Sequence, residues 1–141
     1  MGQSPSGILA YGYDLGNSED WEFSLPNGDD DDFIDIEKVE QILLAQIVGF
    51  TETWETGKAD YYVREKEAKE KLGVEFVRYG SWDYAGYIIA TQVHVAIDWG
   101  SIEIEISLDH SAAERLDRAL KILGIVPNQS EPKWILASFY G

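Results

Sequence analysis

Tyr84-Ala-Gly-Tyr-Ile-Ile-Ala-Thr-Gln-Val-His-Val-Ala-Ile97, then Asp98-Trp-Gly-Ser101, then Ile102-Glu-Ile-Glu-Ile-Ser-Leu108 reads as a long strand, a turn and a second strand. From Thr91 onward apolar and polar residues alternate, the period of a strand with one buried face. With Trp99 and Gly100 as loop residues, Ile97 stands opposite Ile102, Val95 opposite Ile104 and Val93 opposite Ile106. One face of such a hairpin is continuously apolar and belongs to a core. The other face pairs Ala96 with Glu103, His94 with Glu105 and Gln92 with Ser107.

Outward from this hairpin, the chain supplies what an antiparallel sheet needs to bury that face. Val74 to Tyr79 reads as one more strand, Gly7 to Leu15 as a strand weakened by Gly12, and Trp21 to Leu25 as a short extended piece. Pro26-Asn27-Gly28 breaks the chain. Ile36, Val39, Ile42, Leu43, Ile47 and Val48 then recur at helical spacing and stop near Gly49, which predicts a buried helix. A second helix, from about Lys58 to Leu72 before Gly73, has a thin apolar stripe and belongs on the surface. Ser111-Ala-Ala-Glu114 has capping-box spacing and opens a third helix with Ala112, Leu116, Ala119, Leu120 and Leu123 on one face, ending at Gly124. Beyond Pro127-Asn128 and Pro132, Trp134 to Tyr140 reads as a final strand. The order predicts an α+β fold, a mainly antiparallel sheet of about four to five strands with about three helices packed on one face. Residues 1–141 are expected to form a single domain with a flexible acidic loop near 26–33.

Composition bounds the function. With 45% apolar residues, five Trp, eight Tyr and five Phe, the 141-residue chain has the material for a core. The absence of Cys excludes disulfides, thiolate metal sites and a cysteine nucleophile. No apolar run approaches the roughly 20 residues of a membrane span, and the start has neither the basic residues nor the apolar core of a signal peptide, so a cytoplasmic protein with no membrane partner is expected. Against 11 Lys and Arg stand 26 Asp and Glu, a formal net charge of −15. That argues against nucleic acid as a direct partner, because binding phosphate requires a cationic footprint.

The charge is polarised along the chain. Residues 1–60 hold 14 acidic and 2 basic residues, and residues 61–141 hold 12 and 9. In the second half, helical i,i+4 spacing offers pairs such as Glu65 with Lys69, Glu67 with Lys71, Glu114 with Arg118 and Asp117 with Lys121, and Asp60 at the boundary can pair with Arg64. The first half lacks such partners. Its acidic residues include Glu19, Asp20, Glu22, the run Asp29, Asp30, Asp31 and Asp32, and Asp35. An EF-hand reading of this run fails, since a loop opened at Asn27 has Asp32 where Gly is needed and Lys38 where the bidentate Glu belongs.

Chemistry-bearing constellations are few. The hairpin register gathers His94, Glu105 and Glu103, candidates for acid–base catalysis or for a hard-metal site. Asp109, His110 and Ser111 are adjacent in sequence, which is the pattern of a helix start and not of a triad. Phosphate-cradling glycine motifs are absent, so no cofactor is expected. The loop Gly80-Ser-Trp-Asp-Tyr-Ala-Gly86 offers Trp82 and Tyr84 as anchors for a protein partner.

Gly2-Gln-Ser-Pro-Ser-Gly-Ile-Leu-Ala-Tyr-Gly-Tyr-Asp-Leu-Gly16, followed by Trp21-Glu-Phe23, resembles the start of small uncharacterised acidic proteins of actinobacteria and actinobacteriophages. The resemblance covers residues 2–23 and implies a bacterial or infected-cell setting without a mechanism. Together these features lead to the expectation of a small acidic non-enzymatic protein of the phage type, binding a basic surface of a bacterial host protein as a host-factor or defence inhibitor. Its partner-binding residues would be Asp29 to Asp32, Asp35, Glu19, Asp20, Glu22, Trp82 and Tyr84. One alternative is a DNA mimic that inhibits a nucleic-acid-binding protein. Another is a small metal-assisted or acid–base enzyme using His94 with Glu103 and Glu105. The sequence does not specify an oligomeric state.

Overall fold

A single 13-residue strand, β1 (Pro5–Asn17), is the spine of the fold. The computed structural model describes residues 5–17, 36–53, 55, 59–81, 85–97, 100–127 and 129–140. Along one edge, β1 pairs antiparallel with β3 (Ala85–Ala96), and along the other with β4 (Lys133–Tyr140). β2 (Glu75–Ser81) adds antiparallel to the first half of β3, and its last residues meet β4 in parallel at Gly80↔Phe139 and Ser81↔Tyr140. The sheet thus closes on itself in the order β1-β3-β2-β4. Three helices among the described residues complete an α+β fold: α1 (Ile36–Leu43), α2 (Tyr61–Leu72) and α3 (Ala112–Leu123).

Residues paired across a ladder share a face, so the registers separate two apolar layers. Ile8, Ala10, Ile88 and Ala90 form the inside of the curled sheet, with Val77, Val93, Ile135 and Ala137 packed on them. Tyr13, Leu15 and Ile89 point the other way, onto the helices, and join Val39, Leu43, Leu116 and Leu120 in the larger core. The first helix is as buried as its periodicity predicts: Val39 and Leu43 have no exposed surface, and the helix continues through a π-helical turn, Leu44–Val48, to Gly49 at φ 80°. By contrast α2 buries only Tyr61, Ala68 and Leu72, as its thin stripe predicts. Of the helical ion pairs, Glu65 and Lys69 meet at 3.4 Å, whereas Arg64 turns to Glu52 with a two-pronged bond at 2.8 and 2.9 Å.

A long-range bond ties sheet to helix. The Tyr13 hydroxyl donates to Asp117 Oδ1 of α3 at 2.9 Å, and Tyr13 is 4% exposed. Burial first, and then the Asp117 carboxylate, push the phenol up to about 12. A group whose folded pKa is raised stabilises fully below its unfolded value and loses that contribution as pH rises through the folded one. Stability is therefore expected to fall between about pH 10 and pH 12. Tyr13→Phe should cost about 1 kcal/mol at neutral pH and flatten this alkaline loss, as read by urea denaturation across the pH range.

Two sequence expectations are corrected by the structure. Ile102 to Leu108 does not form a strand; residues 101–109 carry no regular structure, and no ladder joins them to β3. The Gly100 amide donates to the Ile97 carbonyl at 2.9 Å, which sets the turn one residue before the expected one, whose Trp99–Gly100 loop would join Asp98 to Ser101. One contact of the expected register is made, from the Gln92 side-chain amide to the Ser107 carbonyl. The apolar face of β3 is instead covered from β1 and β4, where Ile8 sits beside Val95 and Ala137, and Ala10 beside Val93 and Ile135. That layer closes without Ile102, Ile104 and Ile106, and Val95 at its end stays 39% exposed. The second correction concerns α3, where Ser111 makes no side-chain capping bond. The Asp109 carboxylate organises this helix start, accepting from the Ser111 amide (3.0 Å), the Ser111 hydroxyl (3.1 Å) and Arg115 Nη1 (2.8 Å). The Ser111 amide and then the Arg115 guanidinium hold Asp109 at about 2, below the usual carboxylate range.

Candidate functional site

The end of the sheet at which β1 finishes is built from backbone register. Asn17 pairs with Gly86 and Gly16 with Tyr87. Residues 18–35 depart from Asn17, and residues 82–84 join Ser81 to Ala85, so both segments are tethered at this one end. Glu19, Asp20, Glu22, Asp29, Asp30, Asp31, Asp32, Asp35, Trp82 and Tyr84 themselves lie outside the described residues, as do the loop near 26–33 and the extended piece Trp21 to Leu25. The rim they depart from is closely fixed. The Tyr79 hydroxyl donates to Asp14 Oδ1 at 2.7 Å, the Gly16 amide donates to the same oxygen at 2.8 Å, and the Asp14 amide donates to Gln129 Oε1 at 2.6 Å. Gly86 lets the Tyr79 ring lie against the strand, because a Cβ there would stand 2.3 Å from that ring. Beside the rim, Gly7, Asp14, Tyr79, Gly80 and Ile135 to Ser138 line an open cavity of about 710 Å³. Asp14 therefore offers a carboxylate fixed at the point from which the acidic segment leaves.

His94 stands elsewhere. On β3 it lies between Leu9 of β1 and the line of the 101–109 segment, stacked on Trp134 with ring centroids 6.2 Å apart, and Trp134 in turn meets Tyr11 at 5.4 Å. Its Nε2 is buried without a hydrogen-bond partner among the described residues. Glu103 and Glu105 are exposed on the segment that forms no ladder, so the cross-strand neighbours expected of the hairpin are not made. Among the described residues no group of three or more His, Asp and Glu side chains is placed to hold a metal ion. Nor is any described helix long and apolar enough to cross a membrane.

A cleft of about 600 Å³ opens where β2 begins, between α2 and the β3 bulge at Thr91. Its volume falls in the range of small-molecule sites, roughly 300–1,000 Å³. Lys69 lies within 3.7 Å of Glu40 and 3.4 Å of Glu65 on its wall. Partial desolvation at the exposed start of β2 raises the Glu75 carboxyl, and Lys69 opposes this. The Thr91 hydroxyl, also lining the cleft, is buried without a partner among the described residues. Sequence reasoning missed this cleft because its polar groups come from α1, α2, β2 and the bulge, and no spacing links them; the thin stripe of α2 was the one hint that its other face is open. Chemically it combines an ammonium with a carboxyl that holds its proton to higher pH than usual.

No protein-family model matches the sequence, and neither a curated protein nor a solved structure matches it.

Proposed function

We propose that this is a non-enzymatic interaction protein that binds a basic surface of another protein, in the bacterial-host setting implied by its N-terminal resemblance. One observation carries the reading. Residues 18–35 contain eight acidic residues and no basic one, and the Asn17↔Gly86 register tethers that segment at the same sheet end as the Trp82–Tyr84 loop. Clustered carboxylates steer and orient a cationic partner, while aromatic side chains supply the desolvated anchor that charge alone does not. The second half of the chain supports the division of labour, since residues 61–141 hold 12 acidic residues beside 9 basic ones.

The test is affinity capture from actinobacterial lysate with the full chain and with the quadruple variant D29N, D30N, D31N, D32N. The expected result is a basic protein retained at low salt, released as ionic strength rises, and recovered at least tenfold less by the variant. Equal recovery by both chains would discard the acidic-segment mechanism. A second comparison, W82A with Y84A, should weaken capture without altering its salt dependence.

A further inference from the structure

A segment encoded as a strand stands here without a strand partner. Ile102-Glu-Ile-Glu-Ile-Ser-Leu108 alternates strictly, yet its backbone makes no backbone hydrogen bond among the described residues. Ile102, Ile106 and Leu108 are 45%, 61% and 49% exposed. The adjoining edge of β3 is equally bare. β2 covers β3 only from Ala85 to Ala90, so on that side Thr91 to Ala96 has no ladder partner among the described residues. The turn at Ile97–Gly100 and the Gln92–Ser107 contact keep the segment running back alongside this edge.

Native proteins blunt exposed strand edges with Lys, Pro or bulges that discourage pairing. The β3 bulge lies at Thr91, where the bare stretch begins, and beyond it no such device follows: from Ala85 to Glu114 the sequence has no Lys, Arg or Pro, and its charges are all acidic: Asp98, Glu103, Glu105, Asp109 and Glu114. That pattern disfavours a second copy of this chain, because Glu103 and Glu105 would face like charges and each copy carries −15. It favours a strand of the opposite sign.

We propose that Ile102–Leu108 is a strand-addition site for an extended segment of a partner protein in which apolar and basic residues alternate. The partner's backbone would complete the ladder that the arm lacks, its apolar side chains would cover Ile102, Ile104 and Ile106, and its Lys or Arg residues would meet Glu103 and Glu105. The proposal deepens the reading of a basic partner and rests on it, adding a second contact site distinct from residues 18–35.

The probe is a nine-residue peptide alternating Val and Lys, titrated into the ¹⁵N-labelled full chain. Three controls accompany it: a Val/Glu peptide, a Val/Lys peptide N-methylated at every second residue, and the E105P variant, whose substitution lies in an exposed arm outside the core. The expected result is saturable binding of the Val/Lys peptide with slowed amide exchange at residues 102–108. At least tenfold weaker binding is expected in each of the three controls. Equal binding of the N-methylated peptide, or no change in exchange at the arm, would overturn strand addition. If the peptide fails while the four Asp→Asn changes still abolish partner capture, this site falls and the acidic-segment reading stands. If the peptide protects the arm while those changes leave capture intact, the reverse holds.

Discussion

Gly12→Ala is expected to destabilise the protein by about 3 kcal/mol or more, enough to remove a large share of the stability of a domain this size. A Cβ on Gly12 would stand 1.8 Å from the Ile89 carbonyl oxygen, 2.8 Å from its carbon and 2.9 Å from the Ala90 Cα. All three are backbone atoms of β3, so no rotamer change can relieve the clash. The strand pair would have to separate at its register shift between Tyr11 and Gly12, where β1 is held by β3 on one side and β4 on the other. Urea denaturation should show the loss as a lower midpoint, or an unfolded spectrum without denaturant. Gly7→Ala is the control: a Cβ on Gly7 would meet nothing within 4 Å, and a change within about 0.5 kcal/mol is expected.

The second large effect is expected at the junction of helix and sheet. Leu116 of α3 is fully buried, in the same core as Val39, Leu43 and Ile89. Leu116→Ala removes apolar contacts and leaves a cavity in a layer held from both sides, a change that costs about 2–5 kcal/mol. Thermal and urea unfolding should both register it. Leu136→Ala, on β4 at 80% exposure, should stay within about 0.5 kcal/mol. A reversal of this order would mean that the apolar layer between helices and sheet is not the main core.

Helices were legible wherever the helical period ran uninterrupted. The three helices fall where Ile36 to Val48, Lys58 to Leu72 and Ala112 to Leu123 place them, and Gly49, Gly73 and Gly124 terminate them at φ 80°, 70° and 71°. Left-handed backbone at these caps is what glycine permits, so the stops could be read from residue type alone. Gly12 was legible as a weak point in a strand, but not as the site of a backbone contact with a strand far along the chain. Ile102 to Leu108 has the alternation of a strand and none of the ladder. The polar groups of the 600 Å³ cleft, like the Tyr13–Asp117 bond, link residues that no sequence spacing connects.

Residue order fixed what depends on near neighbours: helix faces, helix stops, and the charge imbalance that sets residues 18–35 apart. Strand partnership was settled in three dimensions. A strand accepts any neighbour whose apolar face and backbone groups fit, and alternation is the same whichever neighbour wins. β1 takes one edge of β3, with Ile8 against Val95 and Ala10 against Val93, the inner layer closes around Ile8, Ala10, Ile88 and Ala90, and Ile102–Leu108 is left exposed beside the other, bare edge.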